Sequence, residues 1–460
     1  MLKFVEIHVD FVNCIYIIYV CYLKKGAKMK VYLENYGCKV NSYETESMTA
    51  DFKLIGYDIT NEPMEADVIV INSCTVTASG DSKSLYAVRK YRKSNPKAII
   101  VLTGCLPQAS PEISDKIIQA DIVTGTRQRG KIPEFVNEFI ENRQRIVNIP
   151  AYGKADEFEK ITCGSFENRT RAFIKIQDGC NQFCTYCLIP YARGRCRSKP
   201  IEDLREEVKK IAQSGIKEIV LVGINLMFYG KELGLRLVDA VEACCKIDGV
   251  ERVRLGSLEP EIISDEDLQR LGRLKQFCPQ FHLSLQSGCD KTLSDMNRHY
   301  NTNKYFSLVQ KIRNVFPECA ITTDVMVGFP DESDEDFRQS LEFVRKVEFA
   351  KIHVFQYSKR KGTIAAEKIN QISKDVKQLR ADKMKAVGDE LQRIFLEKQV
   401  GKTVSVLFEK EISPDFHQGY AENYTLIKIP EKNFKKSLRR KLFCVKIEDS
   451  NNGCCIGKII

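Results

Sequence analysis

No stretch of the 460 residues is apolar for long enough to cross a bilayer as a helix, which takes about 20 residues. The longest candidate, Phe11 to Leu23, is too short. The same region lacks a signal-peptide cleavage site, and its leading segment sets Glu6 and Asp10 beside Lys3. These absences exclude a membrane partner and point to the cytoplasm. A disulfide scaffold is excluded as well, because such scaffolds are short and cysteine-dense, whereas the 18 cysteines here are spread over a long chain. They are expected as reduced thiols of a cytosolic metalloenzyme. An acidic balance is missing too: 71 Lys and Arg against 61 Asp and Glu leave a formal charge of +10, which suits a polyanionic partner such as RNA. Met29 leads directly into a strand pattern, KVYLENYGC, so residues 1–28 are read as an extension that is not translated.

What the chain does have is cysteine in two organised sets. The run DGCNQFCTYCLIPYARG places Cys180, Cys184 and Cys187 at CxxxCxxC spacing, with no fourth member. Iron–sulfur clusters are held by cysteine thiolates, usually four. A cubane with only three protein ligands keeps one iron open to a substrate or cofactor. Gly179, Asn181 and Gln182 mark the segment as a loop, which argues against core-packing thiols. The second set lies upstream, where apolar runs alternate with amphipathic stretches from Lys30 to about Asn142, as in an open parallel α/β sheet. Three runs end alike: KVYLENYG at Cys38, ADVIVINS at Cys74 and KAIIVLTG at Cys105. Ligands of such sheets bind beyond the carboxyl ends of the strands, so these three thiols should meet in one crevice as a second three-thiolate cluster. After Cys38, the run from Asn41 to Glu46 reads as a cap followed by an acidic first helical turn. Helical patterns also follow Cys74, from Ser82 to Arg92, and Cys105, from Pro107 to Pro111.

Beyond a linker, six strand patterns each precede a helical one: Ala172–Ile176, Glu218–Gly223, Arg252–Gly256, His282–Leu285, Ala320–Val327 and Lys351–Gln356. Six repeats suit an open partial (β/α)6 barrel, whose chemistry sits at the carboxyl ends of its strands. There the sequence offers Gly223, Asn225, Ser257, Glu259, Gln286, Ser287 and Gly328 to cradle a cofactor. From Lys398 the runs become β-rich with turn signals, as in a small barrel. That segment holds 12 Lys or Arg against 7 Asp or Glu, with Lys435, Lys436, Arg439, Arg440 and Lys441 at its centre. Tyr420, Tyr424 and Phe408 would complete a basic, aromatic RNA-binding surface. The expected organisation is an extension (1–28), a cluster domain (29–142), a linker (143–165), a barrel core (166–397) and a terminal barrel (398–460). Cys163, Cys196, Cys244, Cys245, Cys278, Cys289, Cys319, Cys444, Cys454 and Cys455 lack ligand spacing and are read as packing residues.

This order of parts resembles the methylthiotransferases, radical S-adenosylmethionine (SAM) enzymes with a terminal TRAM domain. The carriers are YGCKVNSYETE, INSCTVT, LTGCLPQ, DGCNQFCTYCLIPYARGRCRS, SLEP, LSLQSG, DVMVGFPDE and GYAENYTLIKI. Tyr186, before the last cysteine of the CxxxCxxC run, also fits the radical SAM pattern. The resemblance implies two [4Fe-4S] clusters, one on Cys180, Cys184 and Cys187 that binds and cleaves SAM, and one on Cys38, Cys74 and Cys105 that presents sulfur. It implies a tRNA substrate, an electron donor and a sulfur source. Three branches of the family modify tRNA threonylcarbamoyladenosine, tRNA isopentenyladenosine or a ribosomal protein aspartate. GCKVN and PYARGRCRS look like the first branch, where the second typically has GCQMN and PYTRG; LTGCLPQ departs from the GCYAQ-like third motif of many members. Methylthiolation at carbon 2 of threonylcarbamoyladenosine is therefore expected. Rival readings are the other two branches and a noncatalytic iron–sulfur RNA-binding redox sensor. Arg298, in MNRHY, reads either as a catalytic residue steering the substrate or the cluster sulfur, or as a surface ion-pair residue. The identity of the tRNAs and the oligomeric state stay open at this level.

Both half reactions need an open iron. Cys184→Ala is expected to abolish 5′-deoxyadenosine release from SAM, whereas Cys74→Ala should retain that release and lose methylthio product; product from the Cys74 variant would remove the role given to the second set.

Overall fold

The computed structural model describes residues 28–153, 156–161, 169–261, 263–409, 416–430 and 437–460. The Phe11 to Leu23 run, Cys163, Lys435 and Lys436 lie outside them. The first unit is a parallel sheet of β1 (Lys30–Asn35), β2 (Asp58–Ile59), β3 (Val68–Ser73), β4 (Ile99–Gly104), β5 (Ile122–Thr124) and β6 (Ile146–Asn148), in the order 2-1-3-4-5-6. VIVINS and IIVLTG are apolar almost throughout because helices cover both faces of the strands. Ile69, Ile71, Ile100 and Leu102 pack on one face with Val88 and Tyr91, while Val68, Val70, Ile99 and Val101 pack on the other with Met48, Phe52 and Val136. Strand order reverses between β1 and β3, and that switch point is where Cys38 and Cys74 emerge.

The helix after β1 corrects the sequence reading. It begins at Lys39 with Cys38 as its N-cap, and no acidic residue lies in its first turn. Asn41 and Glu44 are buried. Asn41 bonds the end of β3 and Arg193, and Glu44 takes cations from both units, so neither residue caps the helix or meets solvent.

That second unit contains β7 (Arg171–Lys175), β8 (Gln177–Asp178), β9 (Arg197–Ser198), β10 (Glu218–Val222), β11 (Arg252–Leu255), β12 (Ser257–Leu258), β13 (Gln280–Leu283), β14 (Ala320–Val327) and β15 (Lys351–Gln356). Two parallel sheets, 11-10-7 and 12-13-14-15, form the partial barrel. Its third strand is broken at Gly256, whose amide turns to the Leu221 carbonyl at 2.8 Å, so β11 pairs with β10 and its continuation β12 with β13. The antiparallel pair β8 and β9 brackets the CxxxCxxC loop and had no sequence signal. The barrel is open between β7 and β15. The start of the helix Lys39–Leu54 enters it, with Val40 packed on Val220 and Val222.

The last unit is a closed barrel of β16 (Thr403–Phe408), β17 (Phe416–Ala421), β18 (Leu426–Pro430), β19 (Leu442–Asn451) and β20 (Cys454–Ile459), in the order 16-17-18-20-19. Of the three aromatics expected on an RNA surface, Phe408 is not there. Phe408 lies in the barrel core. Tyr420 and Tyr424 stack at 4.5 Å against the second unit, beneath Arg171 and Arg254 at cation–π distance. Buried Glu218 explains this: it gathers Arg171 (2.9 Å), Arg254 (3.3 Å) and Arg252 (3.6 Å), whose spare donors reach the barrel. Arg252 donates to the carbonyls of Tyr420 (2.9 Å) and Ser405 (2.7 Å), and Arg254 to that of Glu422 (2.8 Å). Among the described residues no helix is long and apolar enough to cross a membrane.

Candidate active site

The CxxxCxxC loop leaves the top of the partial barrel through Gly179, at φ +75°, where a Cβ would sit 1.9 Å from the Arg195 carbonyl oxygen. Glycine is required there. The Cys180 amide then donates to the Gly194 carbonyl at 3.1 Å, and the Cys187 amide to that of Cys184 at 3.0 Å. Thr185 ties the loop to the far side of the barrel: its amide donates to the Met296 carbonyl and its hydroxyl to that of Asp295. Tyr186 packs edge-on against Phe329, beside Met296, Tyr357 and Ala365.

Burial pushes the thiol of Cys180 up to about 11 and that of Cys187 to about 12. Cys184 is raised by burial as well, opposed by Arg298, whose Nη1 donates to its sulfur at 3.3 Å. Arg298 is thus not a surface ion-pair residue. It is almost buried, pairs closely with Glu259, and sends Nε to the Tyr300 hydroxyl at 3.2 Å. Asn225 directs Nδ2 at the Cys180 sulfur, 4.0 Å away, while its buried Oδ1 has no hydrogen-bond partner among the described residues. So the structure brings Asn225, Glu259 and Arg298 to the three thiols.

The other strand-end residues lie around this group in different settings. Gly223 admits Gln177, whose Oε1 accepts the Asn225 amide at 2.7 Å; a Cβ at Gly223 would meet Gln177 Cβ at 2.9 Å. Ser257 is exposed on the inner face of β12, level with His282. Gln286, at φ +65°, bridges to β14 through the Asp324 carbonyl and the Met326 amide. Ser287 is buried, and its hydroxyl accepts the Cys289 amide at 3.2 Å, a turn-forming contact. Gly328, at φ +70°, allows the close approach of Lys377 and donates its amide to Glu332 at 3.0 Å.

The second thiol set forms at the carboxyl ends of β1, β3 and β4. Cys38 is exposed, Cys74 and Cys105 are buried. Burial raises Cys105 to about 12, and it interacts electrostatically with Cys74 and Cys38. Gly104, at φ +101°, lets β4 turn within reach of the Ser73 carbonyl, and Ser73 Oγ accepts the Leu106 amide at 3.2 Å. Asn41 joins the first two ends directly and the third through Arg193. Its Nδ2 donates to the Ser73 carbonyl at 2.9 Å, while its Oδ1 lies 3.5 Å from the Cys38 sulfur and accepts Arg193 Nη2 at 2.9 Å.

Arg193 is the residue that sequence reasoning passed over. It lies in PYARGRCRS, which had served only to tell family branches apart. Fully buried, it donates Nε to the Cys105 sulfur at 3.3 Å and both Nη groups to Glu44, at 2.5 and 3.0 Å. Asp178 joins at 3.5 Å and also takes Lys175 and Arg197, each at 3.1 Å. Lys175 (2.8 Å) and Arg129 (3.2 Å) reach Glu44 as well. Burial works to raise the Glu44 carboxyl, but Arg129, Arg193 and Lys175 outweigh it and hold the group down at about 2. Only the burial of a charge with its partners, invisible in a linear pattern, distinguishes this glutamate from a solvated one.

These surroundings fit iron–sulfur clusters. Within the second set Cys105 interacts electrostatically with Cys74 and Cys38, and within the first Cys187 does so with Cys184 and Cys180. Each set also has an arginine aimed at one sulfur, as buried thiolates require. Around Arg193 four cations, Lys175, Arg129, Arg193 and Arg197, meet three carboxylates, Glu44, Asp178 and Glu159. That leaves one positive charge for an anionic group on Cys105.

Comparison with known proteins agrees with this chemistry. Residues 174–344 match the radical SAM superfamily, and residues 30–125 match an uncharacterized protein family, UPF0004. The threonylcarbamoyladenosine tRNA methylthiotransferase MtaB of Thermotoga maritima is 38% identical over 395 residues, covering 86% of this chain and 90% of its own. The enzyme of the same name from Bacillus subtilis is 36% identical, with 84% and 87% covered. A tRNA-2-methylthio-N(6)-dimethylallyladenosine synthase of Clostridium tetani is 35% identical, with 85% and 88% covered. Among solved structures, the radical SAM methyltransferase TsrM of Kitasatospora setae has the same fold at a TM-score of 0.54 and 13% identity, covering 84% of this chain and 80% of its own.

Glu44→Gln strands buried cations without their shared carboxylate and is expected to destabilise the full chain by ~3–5 kcal/mol in urea unfolding. Because the folded pKa lies below the ordinary carboxylate range, the deficit should be complete above about pH 4.5 and shrink as pH falls toward 2. Glu335→Gln, at an exposed pair with Arg338, should leave the midpoint in place. Equal midpoints for the two variants would show that the network carries no load.

Proposed function

Because the chain belongs to the radical SAM tRNA methylthiotransferases, we propose that it is the cytoplasmic transferase that inserts a methylthio group at carbon 2 of threonylcarbamoyladenosine beside the tRNA anticodon. The observation that carries this reading is the pair of three-thiol sets, each with its own buried arginine, on two units locked together by the Arg193 network. A sensor needs one cluster and no cradle. Cys180, Cys184 and Cys187 would hold the SAM-binding [4Fe-4S] cluster, and Cys38, Cys74 and Cys105 the second. When bound, the first with SAM supplies reductive cleavage and hydrogen abstraction, and the second supplies the sulfur that is transferred; an electron donor and a sulfur source are the partners this requires.

The chain's own residues give that chemistry its order. Arg298 neutralises charge on Cys184 and fixes the Glu259 carboxylate at the barrel mouth. Asn225 offers an unpaired acceptor oxygen beside Cys180, suited to an ammonium donor. Tyr186 and Phe329 close the loop against water. Arg193 does for Cys105 what Arg298 does for Cys184, and through Asn41 it also fixes the Cys38 loop.

Nucleoside mass spectrometry of tRNA from cells with and without this protein tests the reading. Loss should strip the methylthio group from threonylcarbamoyladenosine, accumulate the unthiolated nucleoside and leave the isopentenyl series intact. A deficit confined to the isopentenyl series would overturn the substrate assignment.

A further inference from the structure

Arg193 holds Cys105 directly and reaches the Cys38 sulfur and the Ser73 carbonyl through Asn41, so it grips the second thiol set from upstream of Cys74. The turn that leaves Cys74 is held from elsewhere. The Val76 amide folds back on the Cys74 sulfur at 3.5 Å, and Thr77 caps the helix Ala78–Ser94 by accepting the Gly80 amide at 3.1 Å. Thr75 and Asp81, on either side of that cap, both meet the second unit. There Arg360, only 7% exposed, directs Nη2 to the Thr75 hydroxyl at 2.7 Å and to the Asp81 carboxylate at 2.5 Å. Beside it the Ser358 hydroxyl accepts the Ala78 amide at 3.2 Å. Thr75 is buried, and burial pushes the Asp81 carboxyl up against the opposing pull of Arg360 and Thr75.

Arg360 belongs to a turn, residues 357–366, whose far end meets the first thiol set. The Ala365 amide donates at 2.8 Å to the carbonyl of Thr185, the residue after Cys184, and Tyr357 and Ala365 pack with Tyr186 and Phe329. Between these ends the turn closes on itself. The Thr363 hydroxyl and amide both donate to the Arg360 carbonyl, at 2.7 and 3.2 Å, and Gly362 takes φ +86°. One tight turn thus carries a hydrogen bond beside Cys74 and another beside Cys184. We propose that this turn is a bracket that sets the spacing between the two thiol sets, with Arg360 the positioning residue for Cys74. The proposal rests on the functional reading above, because a transfer that joins the two sets is what demands a fixed spacing. Arg360 acts through Thr75 and Asp81 rather than on a sulfur. An exposed ion pair would not serve, since its partners exchange for water at little cost. A buried guanidinium that moves away strands its carboxylate, so the Cys74 turn keeps one position.

Purified full-length protein with its clusters reconstituted is assayed on an anticodon stem–loop bearing threonylcarbamoyladenosine, with 5′-deoxyadenosine and methylthio product counted together. The same chain, with and without clusters, is followed by hydrogen–deuterium exchange. Arg360→Met should raise the ratio of 5′-deoxyadenosine to product about 10- to 100-fold, the scale of a lost charge-assisted hydrogen bond, with SAM cleavage and the stem–loop KM little changed. Residues 74–81 and 357–366 should lose protection together, clusters or not. Thr75→Val, which removes the hydroxyl alone, should move the ratio in the same direction, and Thr75→Ser should restore it; this pair decides the matter if Arg360→Met does not fold. A wild-type ratio in Arg360→Met or in Thr75→Val, or unchanged protection of residues 74–81, overturns the inference while the functional reading stands. If wild type itself makes no methylthio product on this stem–loop, the functional reading fails and the inference falls with it.

Discussion

The arrangement depends on one buried guanidinium. Arg193 touches the sulfur of Cys105 on the first unit, the carboxylates of Glu44 and Asp178 on either side of the seam, and the amide of Asn41 that ties the Cys38 loop to β3. Two units that each carry a three-thiol crevice are thereby held as one object, with the start of the helix Lys39–Leu54 inserted through the open side of the partial barrel. A reaction that passes hydrogen out at one site and sulfur in at another needs this fixed relation, because misplacement on the scale of an ångström costs orders of magnitude in rate.

The same device recurs at the other seam. Glu218 gathers Arg171, Arg252 and Arg254, and their remaining donors reach carbonyls of the terminal barrel. Buried ion networks add little net stability over well-packed apolar side chains, but each charge left alone is costly. They therefore favour one mutual orientation over all the slipped ones. Tyr420 and Tyr424 are drawn into this seam by the cations beside them, and removing residues 398–460 would uncover three arginines as well as any RNA surface.

Much of this was legible in the sequence, and the reason differs by feature. The six barrel strands were found within two residues at each end because parallel strands covered by helices are short apolar runs with little else to confuse them. The six cysteines stood out because spacing and strand-end position are linear properties. Arg298 was legible as a candidate but not as a partner of Cys184 and Glu259. Glu44 and Asn41 were misread as part of an acidic first turn and as a cap, since a helix sequence does not say which side meets another unit. Arg193, Asp178 and Lys175 carried no signal of their own: their importance lies in contacts with residues up to 152 positions away. Phe408 shows the converse, an aromatic whose composition resembled a binding surface but whose burial assigns it to the barrel core, while Tyr420 and the exposed Tyr424 stack beside the seam.

Hydrogen–deuterium exchange on Arg193→Met addresses the dependence on that one guanidinium directly. Residues 39–54 and 171–178 should lose protection together, while the terminal barrel strands from 403 to 459 keep theirs. Wild-type protection in both of the first two segments would mean that the thiol sets are held in register by something other than Arg193.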